Sequence, residues 1–271
     1  MRDIKNKTAI VTGASSGIGA ALAREFAARG ARVVIAARSS EKLEALAAEI
    51  TSGGGTVLAV TCDVSSEPDC RRLIERTVEA FGGIDILICN AGLSMRAVLD
   101  DVEPEVLRRL MDVNFWGTVY CTKYALPHLQ ASRGSVTGVS SVAGLHGLPG
   151  RTGYSASKYA MTGFLETVRI ENLRKGLHVM IACPGFTATD VRLAALTADG
   201  TPQGTTPREE GRMMTAQEVA RRIVEGIRRD RRLLLMEWEG RATHAIKKFA
   251  PRLLDRLVYR AMAAEPNTPL R

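Results

Sequence analysis

Several features are scarce in this 271-residue sequence, and each scarcity removes a class of function. No apolar run approaches the roughly 20 residues that a membrane-spanning helix needs, so no such helix is expected. The opening Met1–Lys7 lacks the apolar stretch of a secretory signal and leads straight into a strand pattern. The five cysteines, Cys62, Cys70, Cys89, Cys121 and Cys183, show no C-x-x-C spacing, and Cys89 and Cys183 end strongly apolar runs. They read as buried thiols rather than ligands or bridges; no metal site is expected, and a reducing cytoplasm is the expected compartment. Net charge is almost absent from residues 1–220, which hold 24 basic and 23 acidic side chains. Residues 221–271 hold 13 and six, and so carry seven of the eight net positive charges. A neutral body with a basic end argues against a nucleic-acid binder and gives the tail a role of its own.

What remains is ordinary: 45% apolar content, enough for one large core in a single domain spanning residues 1–271. Short β-branched runs alternate with long helical patterns. Strands are predicted at Thr8–Thr12, Arg32–Ala36, Val57–Thr61, Asp85–Cys89, Ser135–Ser140, Leu177–Cys183 and Leu233–Met236. Helices are predicted at Ile18–Ala28, Glu41–Ile50, Glu67–Phe81, Pro104–Leu129 with a break at Gly117, Ser155–Arg174 and Ala216–Arg229. Nearly continuous apolar strands separated by helices imply a doubly wound α/β fold, with a mostly or wholly parallel sheet covered on both faces. Residues 187–214 are rich in Gly, Thr and Pro and read as a mobile lid segment over a substrate.

The first strand runs into Thr12-Gly13-Ala14-Ser15-Ser16-Gly17-Ile18-Gly19, and a helix opens directly afterwards. Gly13 allows the sharp turn, Gly17 lets a pyrophosphate approach the backbone, and Gly19 lets helix and strand pack closely. Free N–H groups and the positive dipole end of the helix then face the phosphates, which makes Gly13, Ser15, Ser16, Gly17, Ile18 and Gly19 the candidate contacts. A glycine-rich turn alone is weak evidence; between the first strand and first helix of a βαβ unit it is strong, and the fold expected is a Rossmann fold. The second strand ends Ala36-Ala37-Arg38-Ser39. An acid near this point holds the ribose 2′-hydroxyl of NAD; here Ala37 takes that place, with a guanidinium beside it that can grip a 2′-phosphate. NADP(H) is therefore expected, with Arg38 and Ser39 as ligands.

Tyr154 and Lys158 stand at i and i+4 near the opening of a helix, on one face. A neighbouring ammonium and a helix N-terminus favour the phenolate and are expected to lower the phenol from its usual pKa of about 10. The pair alone is common in structural helices. Ser141 changes that reading: it lies just after the predicted strand Ser135–Ser140, at the sheet edge where open α/β folds bind ligands, and its hydroxyl can bond a substrate oxygen.

Together these residues resemble the short-chain dehydrogenase/reductase family. Thr12-Gly-x-x-x-Gly-x-Gly19, Asn90-Ala91-Gly92, Asn114, Ser141, Tyr154-x-x-x-Lys158 and Pro184-Gly185 occur in the family's order, over about residues 5–236. The resemblance implies that Tyr154 is the general acid in carbonyl reduction and that Ser141 orients the carbonyl. It implies that Lys158 binds the nicotinamide ribose and tunes the tyrosine, and that Asn114 holds a water linking Lys158 to solvent. Asp63 and Val64 would contact the adenine, and Asn90, Ala91 and Gly92 would line the cofactor cleft. Pro184, Gly185, Thr187 and Thr189 would sit by the nicotinamide carboxamide. One departure is Cys89, where the family usually has a first asparagine; it is expected to cost sheet-supporting hydrogen bonding. Within the family, Tyr120–Pro127, Gly147–Tyr154 and Ala182–Thr187 are similar to the dehydrogenase/reductase member 7 type, whose members are linked to retinoid, steroid and other lipid carbonyls.

Leu145, His146, Leu148, Phe186, Val191 and Leu193 are the candidate substrate contacts, a chiefly apolar set that suits a lipophilic carbonyl. Of these, His146 reads more as a surface or packing histidine than as a substrate contact, and nearby Arg151 more as a solvated charge than as an anion site at the entrance. In residues 240–271, Ile246 and Phe249 form one apolar strip and Leu253, Leu254, Leu257 and Val258 another, with Pro251 dividing two basic helices. Such an extension lies on an anionic membrane surface, or packs over the substrate mouth or a partner subunit. The reading that results is an NADP(H)-dependent oxidoreductase interconverting a carbonyl and an alcohol, as a homodimer or homotetramer paired along its long helices. A 3-oxoacyl thioester reductase is the alternative within enzymes, and a non-catalytic NADP-binding sensor or scaffold the alternative outside them.

Overall fold

The computed structural model describes residues 2–189, 193–204, 213–266 and 268–270. Seven strands form one sheet: β1 (Thr8–Thr12), β2 (Arg32–Ala37), β3 (Thr56–Thr61), β4 (Ile86–Cys89), β5 (Ser135–Val139), β6 (His178–Cys183) and, numbered last in the chain, β9 (Leu233–Leu235). Their order is β3-β2-β1-β4-β5-β6-β9, and every pairing is parallel. Two short strands, β7 (Thr187–Ala188) and β8 (Met214–Thr215), form a separate parallel pair. The Rossmann arrangement read from the sequence is the one found, and the sheet is wholly parallel.

Successive strand residues point to opposite faces, and both faces are buried. Val11, Val33, Ile35 and Ile88 join a core with α1 (Gly17–Ala28), α2 (Ser40–Ser52) and α7 (Ala216–Arg228). Ile10, Val34, Leu87 and Val136 join a second core with α3 (Glu67–Phe81), α5 (Gly117–Ala131) and α6 (Thr152–Glu171). The chain builds outward through β1, β2 and β3, then returns to lay β4 on the other side of β1. That reversal opens a crevice beyond the carboxyl ends of β1 and β4, where ligands bind in open α/β sheets.

Two helical details differ from the sequence pattern. Pro104–Leu129 is interrupted by a π-helical turn, Asp112–Trp116, between α4 (Pro104–Met111) and α5. Gly117 is not the break: it is helical, and its missing side chain admits Val64, whose Cγ2 would lie 2.8 Å from a Cβ there. Helix α6 opens at Thr152, ahead of the predicted Ser155, which places Tyr154 in its first turn. Pro251 does divide the tail as its chemistry predicts, into α8 (Trp238–Phe249) and α9 (Pro251–Ala263).

Candidate active site

The turn after β1 is held from across the crevice. Asn90, just past β4, donates its Nδ2 to the carbonyls of Thr12 at 2.8 Å and Gly13 at 3.3 Å. The Thr12 hydroxyl accepts from the backbone N–H of Asn90 and Ala91 at 3.0 and 3.1 Å and donates to Ile88 O at 3.2 Å. Gly13 takes φ +65°, in the left-handed region, and a Cβ there would lie 2.7 Å from Ala91 Cα. At Gly19 a side chain would collide with the Gly13 carbonyl, so helix and strand meet backbone to backbone. Gly17 faces Thr189, whose Cβ would sit 3.2 Å from a Cβ at that glycine. The glycine turn and the segment after β6 therefore face each other across the cleft.

Helix α1 begins differently from its neighbours. Ser39 caps α2, Ser66 caps α3 and Thr215 caps α7, each with an acid in the first turn. Ser16, at the start of α1, makes no side-chain cap, and no acid occupies that first turn. The positive end of α1 is left for an external anion. Ser15, Ser16 and Ile18 are half-buried along this edge. Together, the glycine cradle and the uncapped helix fit a dinucleotide pyrophosphate.

At the end of β2, Arg38 is exposed, and its guanidinium has no partner among the described residues. Ser39 spends its hydroxyl oxygen on Lys42 N–H at 3.4 Å, which leaves its proton available to a ligand. Asp63 accepts from the Ser65 backbone and hydroxyl at 3.0 and 2.7 Å, forming a turn beside buried Val64. Cys89 is buried, and its Sγ lies 3.9 Å from the Thr122 hydroxyl, a long contact at the position where an asparagine was expected. Burial pushes its thiol up to about 12, against the opposing pull of Thr122. All five cysteines are free and buried.

Ser141, Tyr154, Lys158 and Asn114 come together at the carboxyl edge of β5. Ser141 starts a 3-10 turn (Val142–Gly144), accepting from Ala143 N–H at 3.2 Å. Lys158 is buried and donates its Nζ to Val139 O at 2.8 Å, with Nζ 5.9 Å from the Tyr154 ring centre. Burial holds its ammonium down to about 8, with Cys183 and Cys89 opposing weakly. Asn114 sits in the π-helical turn, fully buried. Its Nδ2 donates to Leu93 O at 3.0 Å and Ser157 Oγ at 2.8 Å, and its Oδ1 accepts from Leu93 N–H at 2.8 Å. A π turn of this kind is a frequent feature of functional sites, and here it carries the amide that bonds α6. Gly92 leaves room where they meet, since a Cβ there would lie 3.1 Å from Asn114 Oδ1 and 3.4 Å from Lys158 Nζ.

The phenol departs from the sequence expectation. Burial raises the Tyr154 pKa above its ordinary value; hydrogen bonding with Ser141 and the charge of Arg151 pull it down by less, and Cys183 adds to the rise. Lys158 stands nearby, donating its Nζ to the Val139 carbonyl. The charge that opposes burial of the phenol is that of Arg151. Arg151 is no solvated charge: its guanidinium donates to Ser94 Oγ at 3.1 Å and Met95 O at 3.4 Å. A phenol held neutral and flanked by a hydroxyl is placed to give a proton to a neighbouring oxygen.

The predicted substrate residues spread out. Leu148 N–H donates to Ser155 Oγ at 3.2 Å, close to Tyr154. Leu145 is half-buried, and its carbonyl accepts from Lys247 Nζ at 2.6 Å. His146 turns to the tail, its Nε2 3.9 Å from Asp255, and burial holds its pKa down, with Lys247 adding and Asp255 opposing. His146 thus packs beside α9, the packing role favoured for it from the sequence. Phe186 is half-buried and accepts at its carbonyl from Met214 N–H at 3.3 Å. Leu193 is exposed, Pro184 is buried beside half-buried Gly185, and Thr187 donates its hydroxyl to Gly185 O at 3.2 Å. Val191, and residues 190–192 and 205–212 of the expected lid, lie outside the described residues.

Residues 7–199 match the family described as short chain dehydrogenase. This chain belongs to the short-chain dehydrogenase/reductase family. Its oxidoreductase relatives include an 11-beta-hydroxysteroid dehydrogenase A from Sesamum indicum, 34% identical over 280 residues that cover 98% of this chain and 79% of that protein. A dehydrogenase/reductase SDR family protein 7-like from Dictyostelium discoideum is 33% identical over 94% of this chain and 82% of that one, in keeping with the narrower resemblance. A solved short-chain dehydrogenase/reductase from Burkholderia phymatum, in complex with NAD, matches with a TM-score of 0.83 at 25% identity, over 93% of this chain and 96% of that one.

In this family member, sequence reasoning missed three sets of residues. Tyr154 packs against an apolar cluster of Met95, Val106, Leu110 and Leu196, drawn from α4 and two loops. The Glu237 carboxylate presses on Gly185, where any side chain would overlap it. Arg96 reaches the C-terminal end, donating to Pro266 O at 2.7 Å and lying 3.6 Å from Glu265, with both charged side chains almost wholly buried. The helical period of Val106, Leu107 and Leu110 was the one available signal. The other contacts join residues too distant in sequence to announce themselves.

Proposed function

We propose that this short-chain dehydrogenase/reductase uses NADP(H) to interconvert a carbonyl and an alcohol on a lipophilic substrate. The observation that carries the reading is the gathering of Ser141, Tyr154, Lys158 and Asn114 at the sheet edge beside the glycine turn. When bound, the dinucleotide supplies or accepts the hydride. The rest is work for the chain. Gly13–Gly19 and the open end of α1 hold the pyrophosphate, and Asp63 and Val64 flank the adenine. Lys158 binds the ribose, and Pro184, Gly185, Thr187 and Thr189 border the carboxamide. Ser141 donates a hydrogen bond to the substrate oxygen, and the Tyr154 hydroxyl delivers the proton to that same oxygen. Asn114 steadies Ser157 and the Leu93 backbone around Lys158 and holds a water on the proton's route to solvent.

The preference for the 2′-phosphorylated cofactor is supported by Ala37 in the acid's place and by the unpartnered guanidinium of Arg38. A lipophilic substrate is supported by the apolar cluster around Tyr154 and by the steroid named for the Sesamum relative. Exposed Trp116, Ile170 and Leu173, along the α5–α6 side, suit pairing of two copies through those helices. The test is NADPH oxidation with a panel of hydrophobic aldehydes and ketones, plus an acetoacetyl thioester. The hydrophobic carbonyls are expected to be the better substrates. Tyr154→Phe is expected to lower kcat by about 1,000-fold with NADPH affinity intact. Activity that survives in that variant refutes the mechanism.

A further inference from the structure

The C-terminal helix pair has an inner face, packed on the body of the protein, and an outer face. Lys247 Nζ donates to Leu145 O at 2.6 Å and to the Tyr159 hydroxyl at 2.5 Å. Leu254 and Met262 are buried, Asp255 faces His146, and Arg96 ties down the end of the tail at Pro266. These contacts fix which side of α8 and α9 looks outward.

On that outer side, large apolar groups stand in water: Trp238 is 74% exposed, Phe249 87%, Leu253 53%, Leu257 44% and Tyr259 48%. Single exposed apolar residues are normal, but a group on two short consecutive helices marks an interaction surface. Lys248, Arg252, Arg256 and Arg260 recur every four residues beside Phe249, Leu253 and Leu257, and all seven are exposed. No acidic side chain pairs with any of these four cations among the described residues. Asp255 is the one acid in residues 240–263, and it points at His146.

We propose that this face docks on an anionic lipid surface, with the cations at the headgroup phosphates and Trp238, Phe249, Leu253 and Leu257 in the acyl boundary. Alternating stripes of both kinds are what an interfacial helix presents to a bilayer. A second copy of the chain fits worse. Symmetric pairing would set the cation row against its own twin with no acid between. A nucleic acid would satisfy the cations and leave Leu253 and Leu257 in water. The inference stands apart from the carbonyl chemistry, and its test makes no use of turnover.

The full chain is centrifuged with vesicles of phosphatidylcholine alone, and with vesicles about one-third phosphatidylserine, at low and high salt. Binding to the anionic vesicles is expected to be at least about tenfold tighter and to weaken with salt. Arg252→Glu with Arg256→Glu is expected to abolish it, and Phe249→Ser with Leu253→Ser to weaken it about tenfold. Each variant should keep the parent's Tm and NADPH affinity, which shows that its fold is intact. The proposal is overturned if the full chain stays in the supernatant, if both vesicle types bind alike, or if the folded variants bind as the parent does. It is also overturned if Phe249→Ser with Leu253→Ser splits a dimer in lipid-free sedimentation, because the face is then a contact between copies.

Discussion

On the dinucleotide side of the cleft, the turn from Gly13 to Gly19 is shaped by backbone against backbone, braced by the side chains of Thr12 and Asn90. On the substrate side, the loop from Val142 to Gly150 is propped by groups from the far end of the chain. Lys247 holds the Leu145 carbonyl, Asp255 lies by His146, and Pro269 packs on Gly150. The first side tolerates almost no change, because backbone cannot move aside for an added atom. The second is built from flexible side chains and can be altered piecemeal. A reductase gains from that division: the cofactor is constant, whereas the wall facing the substrate is where specificity is adjusted.

Three substitutions probe the contrast. Gly19→Ala puts a methyl into the Gly13 carbonyl, and overpacking of about 1–3 kcal/mol on the phosphate turn is expected to weaken NADPH binding by up to about 100-fold. Fluorescence titration measures this, and undiminished affinity would mean that the turn is softer than its contacts indicate. Arg38→Asp is expected to lower the NADPH-to-NADH ratio of kcat/KM by about 30-fold, the scale of a charged hydrogen bond. Steady-state kinetics with both cofactors reads it, and an unchanged ratio removes Arg38 from the 2′-phosphate. Lys247→Met should raise KM for the carbonyl substrate by about threefold and leave NADPH affinity alone. Were the cofactor to loosen instead, the two sides of the cleft would be mechanically one.

What the sequence made legible follows the same line. Short β-branched runs and helical periodicity are local, and the seven strands of the main sheet fall within a residue of where the pattern put them. The glycine turn and the Tyr154–Lys158 spacing are local too, and the fold delivers them to one edge. The π-helical turn was invisible because no residue pattern in Asp112–Trp116 marks it; its Asn114 is bonded to Leu93 and Ser157, which lie far away in sequence. The phenol's direction was misjudged for a related reason. Spacing places Lys158 near Tyr154, but it does not show how deeply the phenol is buried, and burial outweighs the charge and hydrogen bond that oppose it. Arg151 looked like a surface charge until Ser94 and Met95 were found to hold it. His146 read as a packing histidine, but its partner on α9 lies more than a hundred residues away and no spacing names it.

The bracing of the glycine turn has a consequence for protein engineering. Asn90, 78 positions after Thr12, gives its amide to that residue's carbonyl. The stiffness of the phosphate loop is thus encoded far from the loop itself. Transplanting Thr12–Gly19 into another scaffold would move the glycines without their anchor, and the graft would have to be ordered anew by each incoming nucleotide. A portable version of this binding element must carry the end of its neighbouring strand with it.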